Sequence, residues 1–200
     1  MSFDNNKLHE IKILNYVEIT SHLNNRIAAA KIGCSVRLAH ELLKKMTEYG
    51  WLRIEKVHTR RWDYFLTEQG RHHKDKLTTE LWEHSRYFYQ EVRKLGSRLG
   101  KQLKEQRFHK IALIGAGEIA EIVYLGLKEH DLELTGVFSE LGTTFPGVTV
   151  QALGELNEQA AEAFIYCGAM EARVFLKKNL HCGMSFPQET YTVLGEKINF

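Results

Sequence analysis

The stretch KIALIGAGEIAEIVYLGLKE, residues 110–129, constrains this chain more than any other. A short apolar run, Ile111 to Ile114, ends in Gly115-Ala116-Gly117-Glu118-Ile119-Ala120, and an amphipathic pattern follows to about Glu129. A buried strand that turns through glycines directly into a helix is the opening unit of a parallel α/β sheet. The glycines let the backbone approach a pyrophosphate, which the positive end of the helix also favours. LELTGVFSE reads as the next strand and ends in Ser139 and Glu140, the latter 25 residues past Gly115. That is close to the spacing at which an acid bonds a ribose hydroxyl. Gly115, Gly117, Glu118, Ile119, Ser139 and Glu140 are therefore the candidate ligand contacts.

The remaining residues predict a shortened Rossmann-like sheet over 108–200. Val148 to Val150 reads as a third strand, Leu153 to Ala160 as a helix and Ala163 to Cys167 as a fourth strand. Ala169 to Asn179 reads as another helix, with a fifth strand beginning near Cys182. Tyr124 and Lys128 have the YxxxK spacing that short-chain dehydrogenases use, but here it falls on the helix that follows the glycines, away from a hydride-transfer position.

The first 67 residues have another grammar. Leu8, Ile11, Leu14 and Val17 recur every three residues and predict a helix over Lys7 to Thr20; a second helix spans Asn25 to Ile32. Gly33 then allows a turn, and Ser35 is a good N-cap for a third helix ending at Gly50. This third helix turns Ala39, Leu42, Leu43 and Met46 inward and Arg37, His40, Glu41, Lys44 and Lys45 outward. WLRIEKV and RWDYFLT follow as two strands joined through His58, Thr59, Arg60 and Arg61. Three helices and a basic hairpin make an α+β winged helix-turn-helix, whose third helix enters the major groove while the wing reaches backbone or minor groove. The candidate DNA contacts are Ser35, Arg37, His40, Lys44, Arg60 and Arg61. Each lysine is also explained as a solvated surface charge, whereas Arg37, in the first turn, has the side chain best suited to guanine.

Between the halves, Thr67 to Arg107 reads as one long helix or two joined near Gly96. Leu81, Phe88 and Leu95, with Val92 and Leu99 offset by four, form a seam that packs on its own chain or on a second copy. Gly96 and Gly100 each cost about 1 kcal/mol relative to Ala in a helix, which makes this segment a candidate hinge. The predicted organisation is a winged helix over 1–67, a linker and dimerisation helix over 68–107, and the Rossmann-like domain over 108–200.

Charge separates the halves. Residues 1–109 carry 21 Lys and Arg against 13 Asp and Glu, whereas residues 110–200 carry 6 against 12. Only the first half suits phosphates. Cys34, Cys167 and Cys182 form no CxxC pair, which predicts free thiols in a reducing cytoplasm. No run of 18 apolar residues marks a membrane span. His72 and His73 point about 100° apart on a helix, poor geometry for one metal, and read as solvated surface.

The run RIAAAKIGCSVRLAHELLKKMTEYGWLRIEKV, continued by RRWDYFLTEQG, resembles the MarR-type winged-helix regulators. YFLTEQGRHHKDKLTTELWEHSRYFYQEVRKL is similar to the subgroup associated with exopolysaccharide gene clusters, with Glu68 where that subgroup has proline. GAGEIA together with FPGVTVQALGELNE resembles two groups: the NAD-sensing Rex repressors and the nucleotide-sugar-binding N-terminal domains of sugar acyltransferases. Ser139-Glu140 departs from the Asp that NAD binders more often place there. The resemblances imply a homodimeric, cytoplasmic, double-stranded-DNA-binding regulator that senses a nucleotide sugar or NAD(H). Two other readings remain open: a small NAD-dependent oxidoreductase with an attached winged helix, and a DNA-binding protein whose second domain serves only assembly.

Overall fold

The computed structural model describes residues 3–20, 22–58, 61–139, 144–156, 159–168 and 189–198. They form two compact units, Met1–Arg86 and Tyr87–Phe200.

The first unit is built on three capped helices. Helix α1 (Asn5–Ile19) starts at Asp4, whose carboxylate accepts from the Asn6 amide. Helix α2 (Asn25–Ile32) starts at Asn24, whose side-chain oxygen accepts from the amides of Arg26 and Ile27. Helix α3 (Val36–Glu48) starts at Ser35, whose hydroxyl accepts from the Leu38 amide. Each cap satisfies helix-end donors that otherwise lack partners. The apolar faces meet in one core of Ile13, Leu14 and Val17 from α1, Ala28, Ala29 and Ile32 from α2, and Ala39, Leu42, Leu43 and Met46 from α3. Strands β1 (Leu52–His58) and β2 (Arg61–Leu66) form the antiparallel hairpin, with Leu52 opposite Leu66, Ile54 opposite Tyr64 and Lys56 opposite Trp62.

Helix α4 (Glu68–Glu105) begins behind Thr67, whose hydroxyl accepts from the Gly70 amide and donates to the Gly50 carbonyl at 2.6 Å. It runs without interruption for 38 residues, so the break considered near Gly96 does not occur.

Two expectations for polar residues are corrected in this unit. Glu10 is only 4% exposed, and it accepts from Lys45 Nζ at 2.7 Å while its other oxygen lies 3.1 Å from His73 Nε2. Lys45 thus turns toward α1 instead of outward, because a buried carboxylate needs a cation. His73 is not solvated surface: its ring stacks on Trp51 at 3.5 Å between centroids. Trp51 in turn stacks on Tyr49 at 5.0 Å.

The second unit is a five-stranded parallel sheet in the order β5-β4-β3-β6-β7, consistent with a Rossmann-like fold. Its strands are β3 (Lys110–Ile114), β4 (Glu133–Ser139), β5 (Val150–Ala152), β6 (Ala163–Tyr166) and β7 (Thr190–Thr192). Alternation along β3 sends Ile111 and Leu113 into one core, with Leu99 and Leu103 of α4 and Val123 and Leu127 of α5 (Glu118–Leu127). Ala112 and Ile114 enter a second core with Phe138, Phe164 and Ile198. Both faces are covered, which is the condition under which parallel sheets occur.

Some boundaries differ from those predicted. The third strand lies at Val150–Ala152, and Val148 instead forms an isolated bridge with Phe145. Leu153 begins a single 3-10 turn, Leu153–Glu155, and Leu156 is already extended, so the helix expected to Ala160 does not form there. Leu153, Leu156 and Ala160 face the second core from irregular backbone, which mimics helical spacing in sequence. The final described strand is Thr190–Thr192; the helix expected at 169–179 and the start near Cys182 lie outside the described residues.

Candidate functional site

On α3, burial of Ala39, Leu42, Leu43 and Met46 leaves Ser35, Val36, Arg37, His40, Glu41, Lys44 and Glu48 exposed. The Arg37 side chain is 90% exposed, and its Nε donates to Glu41 Oε1 at 3.0 Å, one turn along the same helix. The Lys44 ammonium is 3.7 Å from Glu48, again one turn on. His40 Nδ1 lies 3.1 Å from the side-chain amide nitrogen of Asn25, at the first residue of α2. This bond ties the outward face of α3 to the start of α2. Exposed i,i+4 ion pairs are weak, so Arg37 and Lys44 are released at little cost to a stronger anion. Ser35 uses its hydroxyl as the cap of α3. Arg60 lies outside the described residues, and Arg61 is described only as the first residue of β2.

The glycine turn in the second unit is held from two sides. The Gly115 amide donates to the Phe138 carbonyl of β4 at 2.7 Å, and the Cys167 amide donates to the Ile114 carbonyl of β3 at 2.8 Å. Gly115 has φ of 101°, and a Cβ there would stand 2.9 Å from the Gly168 amide nitrogen. Gly117 has φ of 116°, and a Cβ there would meet nothing within 4 Å, so its backbone, not crowding, requires glycine. It is the N-cap of α5 and supplies no side-chain hydrogen bond, so the first amides of that helix have no side-chain acceptor from the cap. The turn lies where the chain order of the sheet reverses, between β3 and β6, at the carboxyl ends of the strands. Open parallel sheets hold ligands at such a reversal.

The other nominated residues separate here. The Ser139 side chain, in a residue only 8% exposed, accepts from the Ala116 amide at 3.3 Å and so braces the glycine turn. Glu118 is exposed in the first turn of α5, where carboxylates such as its own and that of Glu121 complement the helix dipole. Ile119 packs against the core of the sheet. Glu140 lies outside the described residues. Tyr124 of the YxxxK pair packs its ring against Phe145 at 5.9 Å. Burial pushes the Cys167 thiol up to about 12, which keeps it protonated and a poor nucleophile near neutrality. Among the described residues, no group of three or more His, Cys, Asp and Glu could hold a metal ion, and no helix is long and apolar enough to cross a membrane.

Sequence reasoning missed the Asn25–His40 bond and the bracing by Ser139. Asn at the start of a helix signals a cap, but nothing in its spacing identifies a partner 15 residues away.

No family model matches this chain, and no curated protein matches it. Among solved structures, the zinc-dependent MarR family transcriptional regulator AdcR in its Zn(II)-bound state is 21% identical, with a TM-score of 0.33 over 46% of this chain and 62% of that one. Human N-acetylserotonin methyltransferase in complex with SAM is 13% identical, with a TM-score of 0.30 over 81% of this chain and 65% of that one. The chain thus spans less than two thirds of the length of each.

Proposed function

We propose that this protein is a DNA-binding transcriptional regulator whose second unit senses a nucleotide, either a nucleotide sugar or NAD(H). The observation that carries the reading is the capped α3 with Arg37 90% exposed in its first turn, following α2 and preceding a hairpin. The first turn of a recognition helix is the part that meets base edges, and arginine there suits a bidentate contact with guanine. The excess of basic residues over 1–109 supports the same partner.

The glycine turn supports the sensing part of the proposal. Gly115 and Gly117 bring bare backbone to the start of α5 at the reversal point of the sheet, a place suited to a pyrophosphate. Exposed Trp82 and Phe88 on α4 support pairing with a second copy along that helix. The resemblance to exopolysaccharide-associated regulators makes polysaccharide biosynthesis genes the proposed targets.

Selection from random duplexes followed by gel shift tests the reader. Enrichment of a sequence with two related half-sites is the expected result; salt-insensitive binding without any enriched sequence overturns it. A thermal-shift panel of NAD(H), nucleotide sugars and coenzyme A tests the sensor. A ligand at 100 times its dissociation constant adds about 2.7 kcal/mol of stability, and the same ligand must then change DNA affinity.

A further inference from the structure

The side-chain amide nitrogen of Asn25, at the start of α2, lies 3.1 Å from His40 Nδ1 on α3. An amide NH2 only donates, so Nδ1 accepts. A ring nitrogen that accepts carries no proton, and the proton of the neutral imidazole then sits on Nε2. The two ring nitrogens face away from each other. With Nδ1 turned toward α2, Nε2–H is left on the side away from that helix. His40 is exposed, and among the described residues its bond to Asn25 is the one it makes through its ring.

We infer that Asn25 is a positioning residue that fixes His40 as a hydrogen-bond donor, through which α3 selects a guanine next to the base that Arg37 reads. The inference rests on reading α3 as the DNA reader. Base edges in the major groove differ in what they offer a lone donor. Guanine presents two acceptors, N7 and O6. Adenine presents N7 and thymine O4, each beside a group that cannot accept, and cytosine presents only its N4 donor. A side chain held as a donor therefore favours guanine and rejects cytosine. An imidazole free to exchange tautomers would accept from cytosine as readily as it donates to guanine, and would discriminate poorly.

Spacing decides which base is met. Arg37 and His40 stand three residues apart on the exposed face of α3, about 4.5 Å along its axis, and neighbouring base pairs are about 3.4 Å apart. The two side chains therefore address neighbouring pairs. Lys44, one turn farther on beside Glu48, carries a point charge with no fixed direction and suits a phosphate. A neutral hydrogen bond of the Asn25–His40 kind biases the proton by about threefold to tenfold, which sets the size of the expected effects.

The test has one arm without DNA and one with it. In the full chain labelled with 15N in histidine, long-range proton–nitrogen correlation at mildly alkaline pH separates the two neutral tautomers. His40 is expected in the Nε2–H form, and Asn25→Ala should raise its Nδ1–H share by about threefold to tenfold. Asn24 still caps α2 in that variant, so the helix keeps its start. The second arm uses the duplex enriched by the wild type, each guanine in turn replaced by 7-deazaguanine, which lacks the N7 acceptor. One position should weaken wild-type binding by about threefold to tenfold and leave His40→Ala indifferent. Asn25→Ala should narrow the preference for guanine over cytosine at that position by a similar factor, and should add nothing when His40 is already alanine. A wild-type His40 in the Nδ1–H form overturns the assignment. Equal loss of affinity for every base in Asn25→Ala overturns it as well, since Asn25 would then only brace one helix on the other. If the wild type enriches no duplex, the regulator reading fails and base selection by His40 fails with it, while the first arm still reads the tautomer.

Discussion

Gly96 of α4 lies against the carbonyl of Val123 in α5, so closely that a methyl group at Gly96 would run into that oxygen. Gly126 of α5 meets the Arg93 carbonyl in the reciprocal way. The two glycines let the helix backbones touch, and flanking polar pairs fix the contact. Arg93 Nη2 donates to Glu129 Oε1 at 2.7 Å, and Ser97 Oγ lies 3.0 Å from His130 Nε2. The Ser97 hydroxyl, and then the Arg93 guanidinium, hold the Glu129 carboxyl below its usual range.

Gly96→Ala should therefore destabilise the second unit even though alanine is the better helix former. Overpacking costs about 1–3 kcal/mol, against about 1 kcal/mol gained from helix propensity. Urea unfolding followed by circular dichroism should show a lower midpoint. A hinge at this position predicts the reverse, a more stable and stiffer chain, and a raised midpoint would restore that idea.

Replacing Glu10 by alanine leaves Lys45 and His73 without their shared acceptor. Hydrogen bonds to a charged group contribute about 1.5–3 kcal/mol, and Lys45 is half exposed and regains water, so a loss of about 2 kcal/mol is expected. Trp51 stacks on His73, so its fluorescence should report the change in the same titration. Wild-type stability together with wild-type emission would show that the cluster contributes nothing.

On DNA, Arg37→Ala and Lys44→Ala should behave differently. Loss of a base-reading arginine costs about 1–3 kcal/mol and relaxes sequence preference, whereas loss of a phosphate contact weakens all sequences alike and reduces the salt slope by about one. Glu41→Ala removes the competing partner of Arg37 and should tighten binding slightly. Gel shifts at several salt concentrations separate these outcomes; equal losses for Arg37→Ala on every sequence would reassign it to the backbone.

Tyr191 gives the second unit an alkaline limit. Burial, followed by its hydrogen bond to Glu189, pushes the phenol up to about 12 from its ordinary value of 10.0. The folded state therefore holds this proton more tightly than the unfolded chain. Its contribution is complete below pH 10.0 and is lost as the pH rises toward about 12. Melting temperatures measured across that window should fall less steeply for Tyr191→Phe than for the wild type.

The sequence was most legible where one residue type has one local reason to be in place. Ser35 is the cap of α3, the limits of α2 are Asn25 and Ile32 as the pattern predicts, and Gly115 and Gly117 turn β3 into α5. It was least legible where the reason lies on another element. Lys45 falls on the outward side of a helical wheel, yet Glu10, 35 residues earlier, draws it back. Gly96 reads as weakness along one helix and becomes a contact only when α5 lies against it. Leu153, Leu156 and Ala160 have the apolar spacing of a helix because all three meet the same core, although only a single 3-10 turn, Leu153–Glu155, forms there. Ser139 is a strand residue by pattern, and its bond to the Ala116 amide depends on β4 pairing beside β3.

The strand order β5-β4-β3-β6-β7 also sets a schedule for synthesis. β3 is the first strand of its sheet to leave the ribosome and the one that ends at the centre. β4 and β5 add to one of its edges as they emerge. The opposite edge, where Ile111 to Ile114 will pair with Ala163 to Tyr166, stays open while the next fifty or so residues are made. During that interval a nascent chain presents four consecutive apolar residues on an unpaired strand edge, the kind of surface on which neighbouring chains stick together. Slowing translation between β5 and β6 should therefore raise the share of newly made protein lost to aggregates, while the finished fold keeps its stability.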